Sequence, residues 1–160
     1  MKGCHNRPMN ELKARLRTDL TAAIKARDEV RSSTIRMILT AVSSAEVAGS
    51  VAKELSDDEM LSVLATEAKR RREAAVAFEE GNRPEMAAKE RAEALVIADY
   101  LPAQLTPEEI ADVVTAAVEQ LGAAGAGPKA MGKVMGLVQP KVKGRADGAA
   151  VAAEVRRQLG

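Results

Sequence analysis

Thr106-Pro-Glu-Glu-Ile-Ala-Asp-Val-Val-Thr-Ala-Ala-Val-Glu-Gln-Leu121 is the stretch that decides the fold. Its first four residues spell a helix start. Thr106 can accept from the backbone three residues on, and Glu109 can reach back to the Thr106 amide. Pro107 fills a first-turn position where no amide partner is needed. Ile110, Val113, Val114, Ala117, Val118 and Leu121 then recur every three or four residues, the apolar stripe of an amphipathic helix. The loop Gly122-Ala-Ala-Gly-Ala-Gly127 ends it.

Composition extends the helical reading to the whole chain. Apolar residues make up 46% but aromatics only 1%, so the core must be built from Ala, Leu, Val, Ile and Met around Phe78 and Tyr100. Sheets draw on aromatic and β-branched residues, whereas Ala, Leu, Met, Lys, Arg and Glu favour helices. Working toward the N-terminus, Pro84 opens a helix with Ala87, Ala94, Leu95, Ala98 and Leu101 facing in, closed by Tyr100-Leu101-Pro102. Before it, Ser56 caps a helix reaching about Glu80, and Asp28 caps another that carries Ile35, Ile38, Leu39 and Val42. The first helix spans about Asn10 to Arg27 with Leu12, Leu16, Leu20, Ala23 and Ile24 on one side. Toward the C-terminus, a short helix is expected from Pro128 to Val138, with Pro140 blocking its continuation. Asp147 should cap a last helix that buries Val151, Ala152, Val155 and Leu159. The pattern predicts an all-α protein: an N-terminal bundle of about four helices over residues 9–102 and a small three-helix unit over residues 106–160. Residues 1–8 have no periodicity and are expected to be a disordered leader, with Met9 a candidate start after it.

Several function classes drop out. No apolar run is long enough to span a membrane, and no secretory signal core opens the chain, so a cytoplasmic protein without membrane contact is expected. Cys4 and His5 are the only residues of their kinds, which leaves no disulfide framework or thiolate cluster. Neither a metal nor a cofactor is expected. Glu90, Glu93 and Asp99 sit on an Ala-rich helix with no sign of a desolvated cleft, and read as surface charge rather than as an acid–base pair. No catalytic residue is assigned.

Charge is uneven beneath a net value of +1. Residues 49–105 carry eight Lys/Arg against twelve Asp/Glu, whereas residues 123–146 carry five against none. Any anionic partner must therefore meet a local patch. Within 127–147 four glycines stand among those five cations. Gly132 and Gly136 fall inside a helical pattern, where each costs about 0.5–1 kcal/mol relative to Ala. Such glycines serve either tight helix packing or the close approach of a sugar–phosphate strand. Lys129 and Lys133 lie one turn apart beside them, and Lys141, Lys143 and Arg145 follow on an expected loop. Gly127 to Lys133 matches most of a P-loop, but Val134 stands where Ser or Thr should bind magnesium and no strand precedes it. The run Lys69-Arg-Arg-Arg72 points all round its helix and has Glu67 and Glu73 within reach, so it is expected to be mostly ordinary surface. With so few aromatics a base-stacking platform is not expected. Phosphate and shape recognition of a folded RNA needs only cations and an approachable backbone.

Tyr100-Leu101-Pro102, Met131-Gly132-Lys133-Val134-Met135-Gly136 and Lys143-Gly144-Arg145-Ala146-Asp147 together resemble the YqeY-like family, the GatB/YqeY domain proteins, from about residue 10 to the end. The resemblance implies an all-α fold with a helical bundle and a three-helix tail. That tail is similar to the C-terminal domain of the B subunit of the bacterial tRNA-dependent amidotransferase, which makes Gln-tRNA or Asn-tRNA from the mischarged forms. It implies a tRNA contact through Gly132, Lys133, Gly136, Lys143, Gly144 and Arg145, to which the clustering of charge adds Lys129 and Lys141. It also implies a link to carbon–nitrogen ligation with glutamine as amide donor, although nothing matching that subunit's catalytic cradle is present. The expected partners are tRNA and an aminoacyl-tRNA synthetase or amidotransferase, with no DNA. The alternative is a helical protein-interaction adaptor that uses the Met131/Met135 ridge.

Overall fold

Apolar residues at three- and four-residue spacing become helices along the length of the computed structural model, which describes residues 10–160. The leader expected over 1–8, with Cys4 and His5, lies outside the described residues, as does Met9. The α-helices are α1 (Glu11–Lys25), α2 (Glu29–Glu46), α3 (Asp57–Glu80), α4 (Pro84–Ala98), α5 (Pro107–Leu121), α6 (Met131–Val142) and α7 (Gly148–Leu159), with a 3-10 turn at Gly127–Ala130 before α6. No strand occurs among the described residues, and the protein is all-α. The chain divides into two units, Met1–Leu101 and Pro102–Gly160.

In the N-terminal unit α3 and α4 form a helical hairpin around Gly81-Asn82, with Asn82 in the left-handed region. An Arg91–Glu79 ion pair of 2.6 Å bridges it. Caps placed by sequence are present: Asp28 accepts from the Arg31 amide, and Ser56 from the Glu59 amide. Leu16, Ile35, Ile38, Val42, Met60, Leu64 and Ile97 make the dry centre. Glu46, at the end of α2, receives Lys13 Nζ at 2.8 Å and the Leu55 amide at 3.1 Å, tying α1 and the α2–α3 loop to it. Tyr100 closes the unit beyond α4. Its hydroxyl donates to Asp19 Oδ2 at 2.6 Å, and the Arg15 guanidinium lies 4.6 Å from its ring centre. Burial first, and then the Asp19 carboxylate, push the phenol up to about 12.

The inner face of α4 differs from the expectation. Ala87, Glu93 and Ile97 are buried, whereas Leu95 is 70% exposed and Ala98 is also outside. Glu93 is therefore not the surface charge its Ala-rich setting suggested. It turns inward because α3 offers a cation there, Arg71, which no pattern of apolar spacing reveals.

The C-terminal unit packs α5, α6 and α7 around Val114, Val134, Val138, Val151 and Val155. The capping box at Thr106 and Glu109 is complete, and Gly122 closes α5 with φ +59°. Two expectations fail here. Helix α6 does not stop at Val138 but runs through Pro140 to Val142, and the Lys143 amide bonds Gln139 at 3.0 Å beyond it. Lys141 is therefore helical rather than on a loop. Pro140 removes one rung of the ladder, the one its absent N–H would make to the Gly136 carbonyl. Asp147 sits at the start of α7, but its side chain makes no capping hydrogen bond. Instead α7 is fixed to α5 by Gln158, which contacts the Ala111 carbonyl and Thr115 Oγ1 at 3.1 and 3.0 Å.

Candidate nucleic-acid interface

Helix α6 organises the C-terminal candidates. Val134, Val138 and Val142 bury one face in four-residue steps. At 3.6 residues per turn, Gly132 and Gly136 each point about 160° away from Val134, so the two glycines occupy the centre of the solvent face. Gly132, Gly136 and Pro140 form one four-residue ridge. Lys129, Lys133, Leu137 and Lys141 follow the adjacent one. Bare backbone thus runs beside a row of cations, and Lys133 and Lys141 stand about 12 Å apart along the axis.

A Cβ added at Gly132 or Gly136 would meet nothing within 4 Å. Tight packing within this chain is therefore not what these glycines serve. Without that role, each costs helix stability for no local return. Gly132→Ala and Gly136→Ala should each stabilise the protein by about 0.5–1 kcal/mol in chemical denaturation. A destabilised variant would mean the face is covered in solution.

Lys129, Lys133, Lys141 and Lys143 are exposed and make no side-chain hydrogen bond or ion pair. Arg145 and Gly144 are different. Arg145 Nε donates to the Ala103 carbonyl at 3.2 Å, its own carbonyl accepts from the Leu105 amide at 2.7 Å, and Gly144 accepts from Gln104 Nε2 at 3.0 Å. Gly144 has φ +73°, which favours glycine at this turn. These two residues staple the segment entering α5 onto the α6–α7 turn. Four lysines, and not Arg145, are the uncommitted cations of the candidate set. One further cation was passed over by sequence reasoning. Arg157 is held by Glu154, whose carboxyl it brings down to about 2, with Gln158 assisting. Arg156 has no such partner. The signal lay in the spacing: two arginines in the last turn of α7 have one acid within reach.

The run at Lys69–Arg72 divides as its helix position requires. Arg70 pairs with Glu67 at 3.0 Å on the surface. Arg71 turns inward and faces three carboxylates: Glu67 at 3.4 Å, Glu93 at 3.5 Å and Glu90 at 3.7 Å. Three acids against Arg71 and the exposed Arg70 leave the cluster with excess negative charge. Desolvation first, then repulsion from Glu90, raise the Glu93 carboxyl above its ordinary 4.5, against the opposing pull of Arg71 and Lys89. A raised carboxyl favours the folded state only while it holds its proton. Its contribution is complete below pH 4.5 and is lost as pH climbs through the folded-state value. Glu93→Gln should therefore be more stable than the parent at pH 7 and lose that advantage near pH 4, as read from urea midpoints at the two pH values. No group of three or more metal-ligating side chains occurs among the described residues. Among the described residues no helix is long and apolar enough to cross a membrane.

A family model described as Yqey-like protein matches residues 13–159. No curated protein matches the chain.

Proposed function

The chain belongs to the YqeY-like family, and on that premise we propose that it is an accessory module that docks the phosphate backbone of a folded RNA, transfer RNA foremost. The observation that carries this is the exposed face of α6. Lysines without partners stand beside two glycines that leave the backbone open to within 4 Å. Phosphate contacts hold and orient an RNA without reading its sequence. The module would act in the cytoplasm, presenting tRNA to an aminoacyl-tRNA synthetase or to an amidotransferase that carries out glutamine-dependent amidation. In this scheme the chemistry belongs to that partner.

Filter binding of unfractionated tRNA over a range of salt tests it. Affinity should fall linearly on a log–log plot. Lys133→Ala should flatten the slope by about 1 and weaken all tRNA species alike. An unchanged slope would remove Lys133 from the interface, and absence of binding at low salt would overturn the RNA role. Met131 and Met135, only partly buried, keep the adaptor alternative in play. A protein partner that stays bound after RNase treatment would favour it.

A further inference from the structure

We propose that the C-terminal unit also carries a pocket for one unstacked nucleobase. The pocket is the cleft between the 3-10 turn and the end of α7, and it rests on the RNA-docking reading above. The cleft holds about 420 Å³ and is lined by Gly127, Pro128, Met131, Arg156, Leu159 and Gly160. That volume is within the range of small-molecule sites.

The lining chemistry selects the occupant. Pro128, Met131 and Leu159 are apolar walls, so one flat hydrophobic face can be removed from water there. The sole charged side chain of the lining is Arg156, and it is uncommitted, whereas the adjacent Arg157 is spent on Glu154. A planar guanidinium stacks on a base and donates to its edge. Loss of aromatic platforms therefore does not exclude base capture in this chain.

Position strengthens the assignment. Gly127, with φ +71°, folds the 3-10 turn so that Pro128 becomes a wall while Lys129 follows it on the exposed side. Met131 comes two residues after Lys129 and directly precedes Gly132. A strand whose phosphates run along Lys129 and Lys133 thus passes the mouth of the cleft, and a base turned out of the stack there enters it.

The test uses the full chain and probes that separate base from phosphate. The Met131 methyl and the Arg156 Nε–H are followed by NMR during titration with AMP, GMP, CMP and UMP, and with ribose 5-phosphate as the base-free control. At least one nucleotide should shift both signals while ribose 5-phosphate leaves them in place. Equal shifts with ribose 5-phosphate would reduce the site to an anion contact, and no shift with any nucleotide would overturn the pocket. Arg156→Lys keeps the charge and loses the plane. It should weaken the nucleotide response about tenfold and leave the salt slope of tRNA binding unchanged, whereas Lys133→Ala should do the reverse. A lowered slope in Arg156→Lys would show Arg156 acting as a phosphate contact only. The nucleotide titration needs no tRNA binding, so failure of the pocket and failure of the docking reading give different results.

Discussion

Arg71→Ala is expected to destabilise the N-terminal bundle by about 3 kcal/mol or more, the largest effect of any single substitution considered for this protein. Arg71 is the cation that faces all three of Glu67, Glu90 and Glu93, which are mostly shielded from water. Removing it leaves Glu90 and Glu93 without an arginine partner across the α3–α4 contact, beside Glu67, which keeps only Arg70. The loss should appear as a lowered urea midpoint at pH 7 and shrink as acid neutralises the cluster. Adding Glu93→Gln should restore part of the stability, because the most buried member would no longer need a counter-ion. If Arg71→Ala costs less than about 1 kcal/mol, the cluster is solvated and its place in the core is wrong; surface pairs are worth that little.

Replacing Lys129, Lys133, Lys141 and Lys143 together by Ala is expected to weaken tRNA binding about a hundredfold near physiological salt. The log–log slope should lose about 4, since each phosphate contact removed flattens it by about 1. Stability should stay within about 0.5 kcal/mol of the parent, because none of the four side chains has a partner in the fold. Lys25→Ala, another exposed position without a side-chain partner, is the control and should leave binding as it is. A quadruple variant that binds with the parent slope would move the RNA contact off α6.

The helices were legible because each is announced by local chemistry. Asp28, Ser56 and Thr106 cap where their side-chain oxygens can reach an amide three residues on, and Ile110, Val114, Ala117 and Val118 of the α5 stripe are buried, while its last member, Leu121, is exposed. Glu93 was not legible. Its partner Arg71 is on the preceding helix, and a periodicity of apolar residues cannot register a charge that points inward. Pro140 misled because it stands in the last turn of α6, where one missing rung does not end the helix. Within the basic segment, the openness of Gly132 and Gly136 required coordinates, since the same spacing serves tight packing equally well. The commitment of Arg145 to Ala103 was hidden for a similar reason: a staple between residues 42 apart leaves no trace in local sequence.

The rung missing at Pro140 changes what the exposed backbone of α6 can recognise. The Gly136 carbonyl lacks the amide donor that a regular helix would supply, on a helix face otherwise edged by donors. An acceptor in such a place rewards a partner that brings a hydroxyl of its own. The sugar of an RNA strand has one at C2′, and the sugar of DNA has none.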